Sequence, residues 1–263
     1  MSRNDRKPQI SVITATRNVE STITRLHASL AAQTYRNFEW VVVDGLSTDS
    51  TVSLLERLSA HSPWLRYVSE PDFGLYDALN KAIRMSTGDY YVVAGADDAF
   101  ASDALTNYAS WCSGGDDPDV VLAKVLKRGR LAGGFHPERA WIGHPSAFAG
   151  SHSIGMLFKT GLHERFGFYS KRFPLLADGY FLKTLLRSGS VRFVPGDFVA
   201  GTFAEGGLTG SNKLQVLAET WQIQMLTERF PLLQLFLFFG KIMLRYPALR
   251  VELQNRRRRQ AES

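Results

Sequence analysis

The sequence predicts an α/β protein built on a mostly parallel sheet flanked by helices, with an amphipathic helical tail at its C-terminal end. Over the first hundred residues, short apolar segments rich in β-branched residues alternate with segments of helical periodicity, which is typical of parallel strands joined by helices. The 263 residues are 44% hydrophobic and 21% charged, which excludes a disordered or fibrous chain. Cys112 is the single cysteine, so a disulfide framework and a cysteine zinc site are excluded as well.

In the first half, strands and helices are expected in strict alternation. Runs such as ISVITA and FEWVVV indicate buried strands, and apolar residues three or four positions apart, such as Ile23, Leu26 and Leu30, indicate helices. The expected strands are Ile10–Ala15, Phe38–Val43, Leu65–Ser69 and Tyr90–Ala94, and the helices between them are Ser21–Ala32, Ser50–Leu58 and Leu75–Met85.

The second half carries weaker patterns. Residues 129–155 are rich in Gly and His and show no clear period. The expected elements are a helix at Ser102–Cys112, a strand at Val120–Leu126 and short helices at Gly161–Phe168 and Gly179–Leu186.

Polar residues follow each of the first four strands. Taken alone, each acidic residue has a structural alternative as a turn or helix-capping residue. Parallel sheets bind ligands at the carboxyl ends of their strands, so four such segments at one edge of the sheet predict a ligand site. The segments are Thr16-Arg17-Asn18, Asp44, Asp72 and the adjacent pair Asp97-Asp98.

The adjacent carboxylates of Asp97 and Asp98 indicate a site for a hard cation. Mg²⁺ and Mn²⁺ prefer one or two carboxylates, with substrate phosphates and waters completing the coordination. The sequence contains neither G-x-x-x-x-G-K-[ST] nor G-x-G-x-x-G, which argues against a P-loop and against a classical dinucleotide fold.

Six segments together resemble the family 2 glycosyltransferases with the GT-A fold, in particular bacterial enzymes of exopolysaccharide, O-antigen and phenolic-glycolipid biosynthesis. The resemblance spans about residues 9–212. The segments are ISVITATRN, VVVDGLSTDST, SEPDFGLYDALNKAI, TGDYYVVAGADD, LLADGYFLKTLLRSG and GGLTGSN.

The resemblance implies a nucleotide-sugar donor site. The backbone around Ala15 and Thr16 and the carboxylate of Asp44 would hold the base and ribose. Asp72 would line the donor pocket, and Lys81 would face the diphosphate.

The resemblance also implies the catalytic positions. Ala96 replaces the first acid of the family's DXD motif, which leaves Asp97 for the ribose or sugar and Asp98 for the metal. Asp178 matches the catalytic base, although from the pattern alone a helix N-cap is equally good. Relatives have a second acid two positions later, where this chain has Tyr180.

The activity implied is an inverting transfer, dependent on Mn²⁺ or Mg²⁺, from a UDP-sugar to a polysaccharide or glycolipid acceptor of the bacterial envelope. His152 matches a histidine that relatives have before an apolar strand near the active site, on the acceptor side; a plain loop histidine is the alternative.

Two alternative functions stay open at this point. A nucleotidyltransferase would need a basic loop after the first strand, where ATRNVES supplies only Arg17. A non-catalytic nucleotide-sugar-binding homologue also stays open, because of Ala96 and Tyr180.

The tail has a charge and an apolar face of its own. Residues 241–263 hold seven Lys and Arg against two Glu, so they carry +5 of the net +6. Phe230–Phe239 is too short to span a bilayer, but with Arg256–Arg259 it is typical of an interfacial helix on an anionic membrane. Packing on its own domain or on a second subunit is the alternative. Nucleic-acid binding by Arg256–Arg259 is not expected, because the tail lacks the interleaved aromatic residues or the recognition module that would support it.

Three regions are expected: donor-binding residues 1–105, acceptor-binding residues 106–215 and the membrane-directed tail 216–263. The first residues contain no apolar signal segment, so the expected location is the cytoplasm, on the cytoplasmic face of the inner membrane. An oligomer is possible.

Overall fold

A computed structural model describes residues 7–113, 117–144, 147–204 and 212–244. In these residues it contains nine strands, all belonging to one sheet. The strands are β1 Ile10–Thr16, β2 Phe38–Asp44, β3 Leu65–Ser69, β4 Tyr90–Val93, β5 Ala99–Phe100, β6 Val120–Lys127, β7 Arg130–Ala132, β8 Met156–Lys159 and β9 Phe193–Thr202. The helices are α1 Ile23–Ala31, α2 Thr51–His61, α3 Leu75–Met85, α4 Ala104–Ser113, α5 Leu162–Phe166, α6 Ala177–Ser188 and α7 Lys213–Thr227, followed by a terminal helix over residues 231–244.

The strand order is β3-β2-β1-β4-β8-β6-β9-β5, with β7 paired to β6. Strands β3, β2, β1 and β4 run parallel, whereas β8 is antiparallel to both of its neighbours. Thr16 pairs with Asp44, and Asp44 pairs with Ser69, so the strand ends lie side by side. Of the polar residues expected at one edge, Thr16 and Asp44 are therefore aligned by the register of their strands.

Apolar side chains pack on both faces of this sheet. Ile23, Leu26 and Leu30 of α1 are buried on one face, and Leu79 of α3 packs with Phe181 of α6 on the other. The prediction of an α/β fold with helices on both faces is confirmed.

The structure also contains strands that were not predicted. The segment of β9 includes Pro195, Gly196 and Gly201, which interrupt any alternation of apolar residues. Strand β5 has only two residues, and β7 has three. The predicted short helix from Gly161 forms only over α5, because Gly167 follows with φ 80°.

The terminal helix contacts the protein through Gln234, Phe238 and Lys241, and the ring of Phe238 stacks on Trp221 with centroids 5.1 Å apart. Gln234 is buried and donates to the carbonyl of Trp141 at 3.1 Å, and the Lys241 ammonium donates to the carbonyl of Ile142. The apolar face is turned outward: Leu232 is 82% exposed and Phe236 75%. No helix of the described ranges is long and apolar enough to cross a bilayer. The arginines of 256–259 and the GGLTGS segment lie outside these ranges.

Candidate active site

Asp44 ends β2 as a fully buried carboxylate that accepts four hydrogen bonds. Its Oδ1 accepts from Thr16 Oγ1 at 3.0 Å and Ser47 Oγ at 2.5 Å, and its Oδ2 accepts from Ser47 N at 2.9 Å and Ser69 Oγ at 2.8 Å. These bonds use the whole accepting capacity of the carboxylate. A nucleotide would have to replace one of them, and Ser47 is the donor that lies outside the sheet.

The loop before α3 brings Asp72 to the same place. The Asp72 carboxylate lies directly against Gly45, where an added Cβ would overlap its Oδ2. Its Oδ1 accepts a hydrogen bond from Gly74 N at 2.8 Å, and Gly74 has a φ of 105° that favours glycine. The residues that follow β2 and β3 thus meet at one edge of the sheet, next to Asp44.

Lys81 of α3 holds this loop together. Its ammonium lies 2.8 Å from Glu70 Oε1 and 3.7 Å from Asp77 Oδ2, and it donates to the carbonyl of Pro71 at 2.6 Å. The side chain expected to face a diphosphate therefore supports the loop that carries Asp72. A diphosphate could be reached only by giving up at least one of these partners.

Asp97 and Asp98 follow β4 and lie against Gly95. A Cβ added at Gly95 would be 2.9 Å from Asp97 Oδ1 and 3.1 Å from Asp98 Oδ2. Asp98 is fully buried; its Oδ1 accepts from Ala204 N at 3.0 Å and its Oδ2 accepts from Gly95 N at 2.8 Å. Burial raises the pKa of Asp98 to about 6 despite these bonds, and the charge of Asp97 adds to the rise.

The two carboxylates fit a hard divalent cation. Asp98 forms no ion pair with any side chain of the described ranges, so nothing there neutralises its buried charge. Within the same ranges, no group of three or more His, Cys, Asp or Glu side chains is placed to bind a metal. A cation would therefore depend on one or two carboxylates and on the substrate phosphates, as Mg²⁺ and Mn²⁺ do.

His152 directly precedes Ser153, whose hydroxyl is close to Asp98. Its ring stacks on Phe203 with centroids 4.3 Å apart, and the Lys127 ammonium lies 3.2 Å from Nε2. The next residue, Ser153, has its hydroxyl 3.4 Å from Asp98 Oδ2. His152 is thus packed against the residues that surround Asp98, and the strand expected after it is β8.

Asp178 lies in the first turn of α6 and is exposed. Its Oδ1 accepts from the Tyr76 hydroxyl at 2.5 Å and from Gly179 N at 2.8 Å. Oδ2 accepts no hydrogen bond from the described residues, so it is open to a ligand. The helix N-cap is Leu176, which rules out the alternative of Asp178 as the N-cap.

Two residues that support Asp178 were missed from sequence. Tyr76 of α3 is one, and Glu219 of α7 is the other: Glu219 Oε2 accepts from Leu175 N at 3.0 Å and Leu176 N at 2.9 Å, at the start of α6. The motif around Tyr76 was visible, but no local pattern pairs it with a residue 102 positions later. Glu219 lies in the segment expected to form the tail.

Comparisons with known proteins agree with this geometry. Residues 11–171 match the family described as Glycosyl transferase family 2. A "PGL/p-HBAD biosynthesis glycosyltransferase" of Mycobacterium tuberculosis is 31% identical over 187 residues, which cover 65% of this chain and 67% of that protein.

Solved structures share the fold at low identity. S. aureus TarS 1-349 in complex with UDP-GlcNAc has a TM-score of 0.65 at 19% identity, covering 88% of this chain and 70% of that one. The mannosyltransferase PcManGT from Pyrobaculum calidifontis, in complex with GDP-Man and Mn²⁺, has a TM-score of 0.62 at 21% identity, covering 93% and 77%.

Proposed function

The chain belongs to the family 2 glycosyltransferases, and from that premise we propose that it transfers a sugar, with inversion, from a UDP-sugar to a polysaccharide or glycolipid acceptor of the bacterial envelope. The relatives with bound UDP-GlcNAc and GDP-Man support a nucleotide-sugar donor. Family membership sets aside the nucleotidyltransferase alternative and makes the chain an enzyme of the glycosyltransferase class.

The arrangement of Asp178 carries this proposal. A general base must have an oxygen free to reach the acceptor hydroxyl while its carboxylate is held in place. Two donors hold Oδ1 of Asp178, and Oδ2 is open on an exposed side chain. In the proposed step Oδ2 takes the hydroxyl proton as the acceptor oxygen bonds to the anomeric carbon, and the bond from that carbon to the diphosphate breaks. One displacement of this kind inverts the anomeric centre.

Asp97 and Asp98 would hold Mn²⁺ or Mg²⁺. A divalent cation supplies charge neutralisation for the departing diphosphate when it is bound. The burial of Asp98 without an ion-pair partner among the described residues supports this assignment. The charged form of a buried carboxylate is unfavourable in free energy, and a bound cation would offset that cost.

The donor nucleotide would lie at the ends of β1, β2 and β3. The backbone at Ala15 and Thr16, together with Asp44 and Asp72, would contact the base and ribose, and Asp97 the ribose or sugar. The carboxylate of Asp72 is the strongest support for this placement of the nucleotide. Its Oδ2 accepts no hydrogen bond from the described part of the chain and lies against Gly45. Residues 1–105 would then be the donor half and 106–215 the acceptor half.

The acceptor would be presented at a membrane surface. The outward apolar face of the terminal helix and the +5 charge of residues 241–263 fit an anionic lipid leaflet. We therefore place the enzyme on the cytoplasmic face of the inner membrane, with His152 on the side of a lipid-linked acceptor.

Substitution of the base tests the proposal. Asp178→Asn keeps an oxygen for Tyr76 and Gly179 and replaces the proton acceptor with an amide. Transfer should fall about 10²–10⁴-fold while the Kd for UDP-sugar changes less than about twofold, because the base contributes to chemistry and not to donor binding. Asp103→Asn is the matched control, an exposed carboxylate just before α4. A loss of transfer under tenfold would remove Asp178 from the role. Donor hydrolysis with and without Mn²⁺ tests the proposed metal dependence.

A further inference from the structure

Tyr76 connects the loop that carries Asp72 to α6, the helix that carries Asp178. It is buried in the first turn of α3, two residues after Gly74, whose N–H bonds the Asp72 carboxylate. Its hydroxyl reaches across to α6 and lies 2.5 Å from Asp178 Oδ1. One side chain therefore connects the proposed donor site with the proposed base.

The single hydroxyl proton of Tyr76 has two acceptors within range. Asp178 Oδ1 lies at 2.5 Å and the carbonyl of Leu175 at 3.2 Å, so the proton belongs in the shorter, charge-assisted bond. Burial raises the pKa of Tyr76 well above its usual range, and the charge of Asp178 adds to the rise. The hydroxyl thus keeps its proton and remains a donor.

The ring of Tyr76 cannot easily turn away. It packs against Tyr169 with centroids 5.5 Å apart. Asn80, one turn further along α3, exchanges two hydrogen bonds with the backbone of Tyr169, at 2.8 and 2.9 Å. The hydroxyl position is therefore set by α3 and by the segment that precedes α6.

We infer that Tyr76 is a positioning residue for the reaction: it holds Oδ1 of Asp178, so that Oδ2 is the oxygen left to receive the acceptor proton. Tyr76 itself neither gains nor loses a proton in the step. This inference rests on the proposed role of Asp178.

Removal of the hydroxyl tests the inference. Tyr76→Phe should lower kcat about 10- to 100-fold with the donor KM changed less than about twofold, because a displacement of roughly 1 Å at a reacting group costs about 10²-fold. Tyr90→Phe is the matched control. Tyr90 is also buried, and its hydroxyl donates to a carboxylate, Asp117, and lies near a carbonyl, that of Pro118, both at 2.9 Å. The Tyr90→Phe variant should keep the wild-type kcat.

The double variant Tyr76→Phe with Asp178→Asn separates positioning from a general structural loss. If Tyr76 acts through Asp178, the second substitution adds less than about twofold to the loss from Asp178→Asn alone. All rates are taken per donor-binding site, titrated with UDP, so unfolded protein does not enter them.

Three results would overturn the inference. A wild-type kcat in Tyr76→Phe would show that the hydroxyl is dispensable, and multiplying losses in the double variant would show that Tyr76 does not act through Asp178. Retained transfer in Asp178→Asn would instead overturn the proposed base, and the positioning role with it. The first two results leave the proposed function intact.

Discussion

The outward face of the terminal helix can be removed without touching the rest of the protein. Leu232, Phe236 and Phe239 are 82%, 75% and 57% exposed. The triple substitution of these residues by Ser should leave the free energy of unfolding within about 1 kcal/mol, because exposed side chains contribute little to the fold. The same substitution should remove most of the affinity for lipid.

The expected loss follows from the exposed area. Full burial of one such side chain contributes about 1.5–3 kcal/mol. With roughly two-thirds of each side chain exposed and about half of that entering the headgroup region, the three together supply about 1.5–3 kcal/mol. The partition coefficient should therefore fall about 10- to 150-fold.

Vesicle co-sedimentation measures this loss. The wild-type chain should bind anionic vesicles better than neutral ones and should bind less as salt rises, since surface charges are screened within roughly 8 Å at physiological ionic strength. Leu131→Ser is the matched control, because Leu131 of β7 is 62% exposed and far along the chain from the terminal helix. Unchanged sedimentation of the triple variant would refute membrane docking. A lower Tm or the loss of a dimer would show that this face packs on protein.

Four further predictions concern the site and its support. Asp98→Ala should abolish the metal dependence of donor binding, with Asp98→Glu retaining a remnant. In the wild type the apparent affinity for Mn²⁺, measured by titration, should fall about tenfold per pH unit below about 6, because the cation then competes with a proton on Asp98. Gly45→Ala should weaken UDP-sugar binding about tenfold, seen by calorimetry, because the new Cβ displaces the Asp72 carboxylate. Glu228→Gln should cost about 3–5 kcal/mol in denaturant unfolding, because it leaves the fully buried Lys183, 2.7 Å away, without its counter-charge; an unchanged midpoint would show that the pair is not needed.

The first half of the chain could be predicted from the sequence because its signals are local. Each parallel strand is a short apolar run, so its position can be identified directly and its end to within one residue; the strands expected to end at Ala15, Val43 and Ala94 end at Thr16, Asp44 and Val93. Asp44 and Thr16 meet because their strands are parallel and in register, which the alternation of strands and helices already implies. Family resemblance added the roles of these residues, and those roles remain predictions.

The support of Asp178 could not be predicted, because it depends on contacts between distant segments. No periodicity indicates that Tyr76 donates to Asp178 or that Glu219 accepts from the backbone of Leu175 and Leu176, just before α6. For the terminal helix, the sequence predicted an apolar face and a polar face, but it did not predict which of the two contacts the protein. The side that faces the protein carries the donors of Gln234 and Lys241, which satisfy the carbonyls of Trp141 and Ile142, together with the ring of Phe238, which stacks on Trp221.

Two glutamates after residue 212 contact α6, one at the start of the helix and one near its end. At the start of the helix, Glu219 accepts from two backbone N–H groups. Near the end, Glu228 pairs with Lys183 and with Arg187. Burial lowers the pKa of Lys183 to about 8, while Glu228 opposes that shift, so the ammonium depends on this carboxylate to stay charged at neutral pH.

Two shortened chains should therefore behave differently. A chain ending at Arg229 keeps Glu219 and Glu228 and loses the terminal helix and the basic residues after it. It should retain its Tm within a few degrees and its transfer to a soluble acceptor, while losing vesicle binding. A chain ending at Asn212 loses both glutamates, so α6 should lose its supports and transfer should fall together with the Tm. Thermal unfolding and initial rates on both chains decide the matter. Equal Tm and equal rates in the two would show that α6 and Asp178 are held by the sheet alone, and that the tail serves only the membrane.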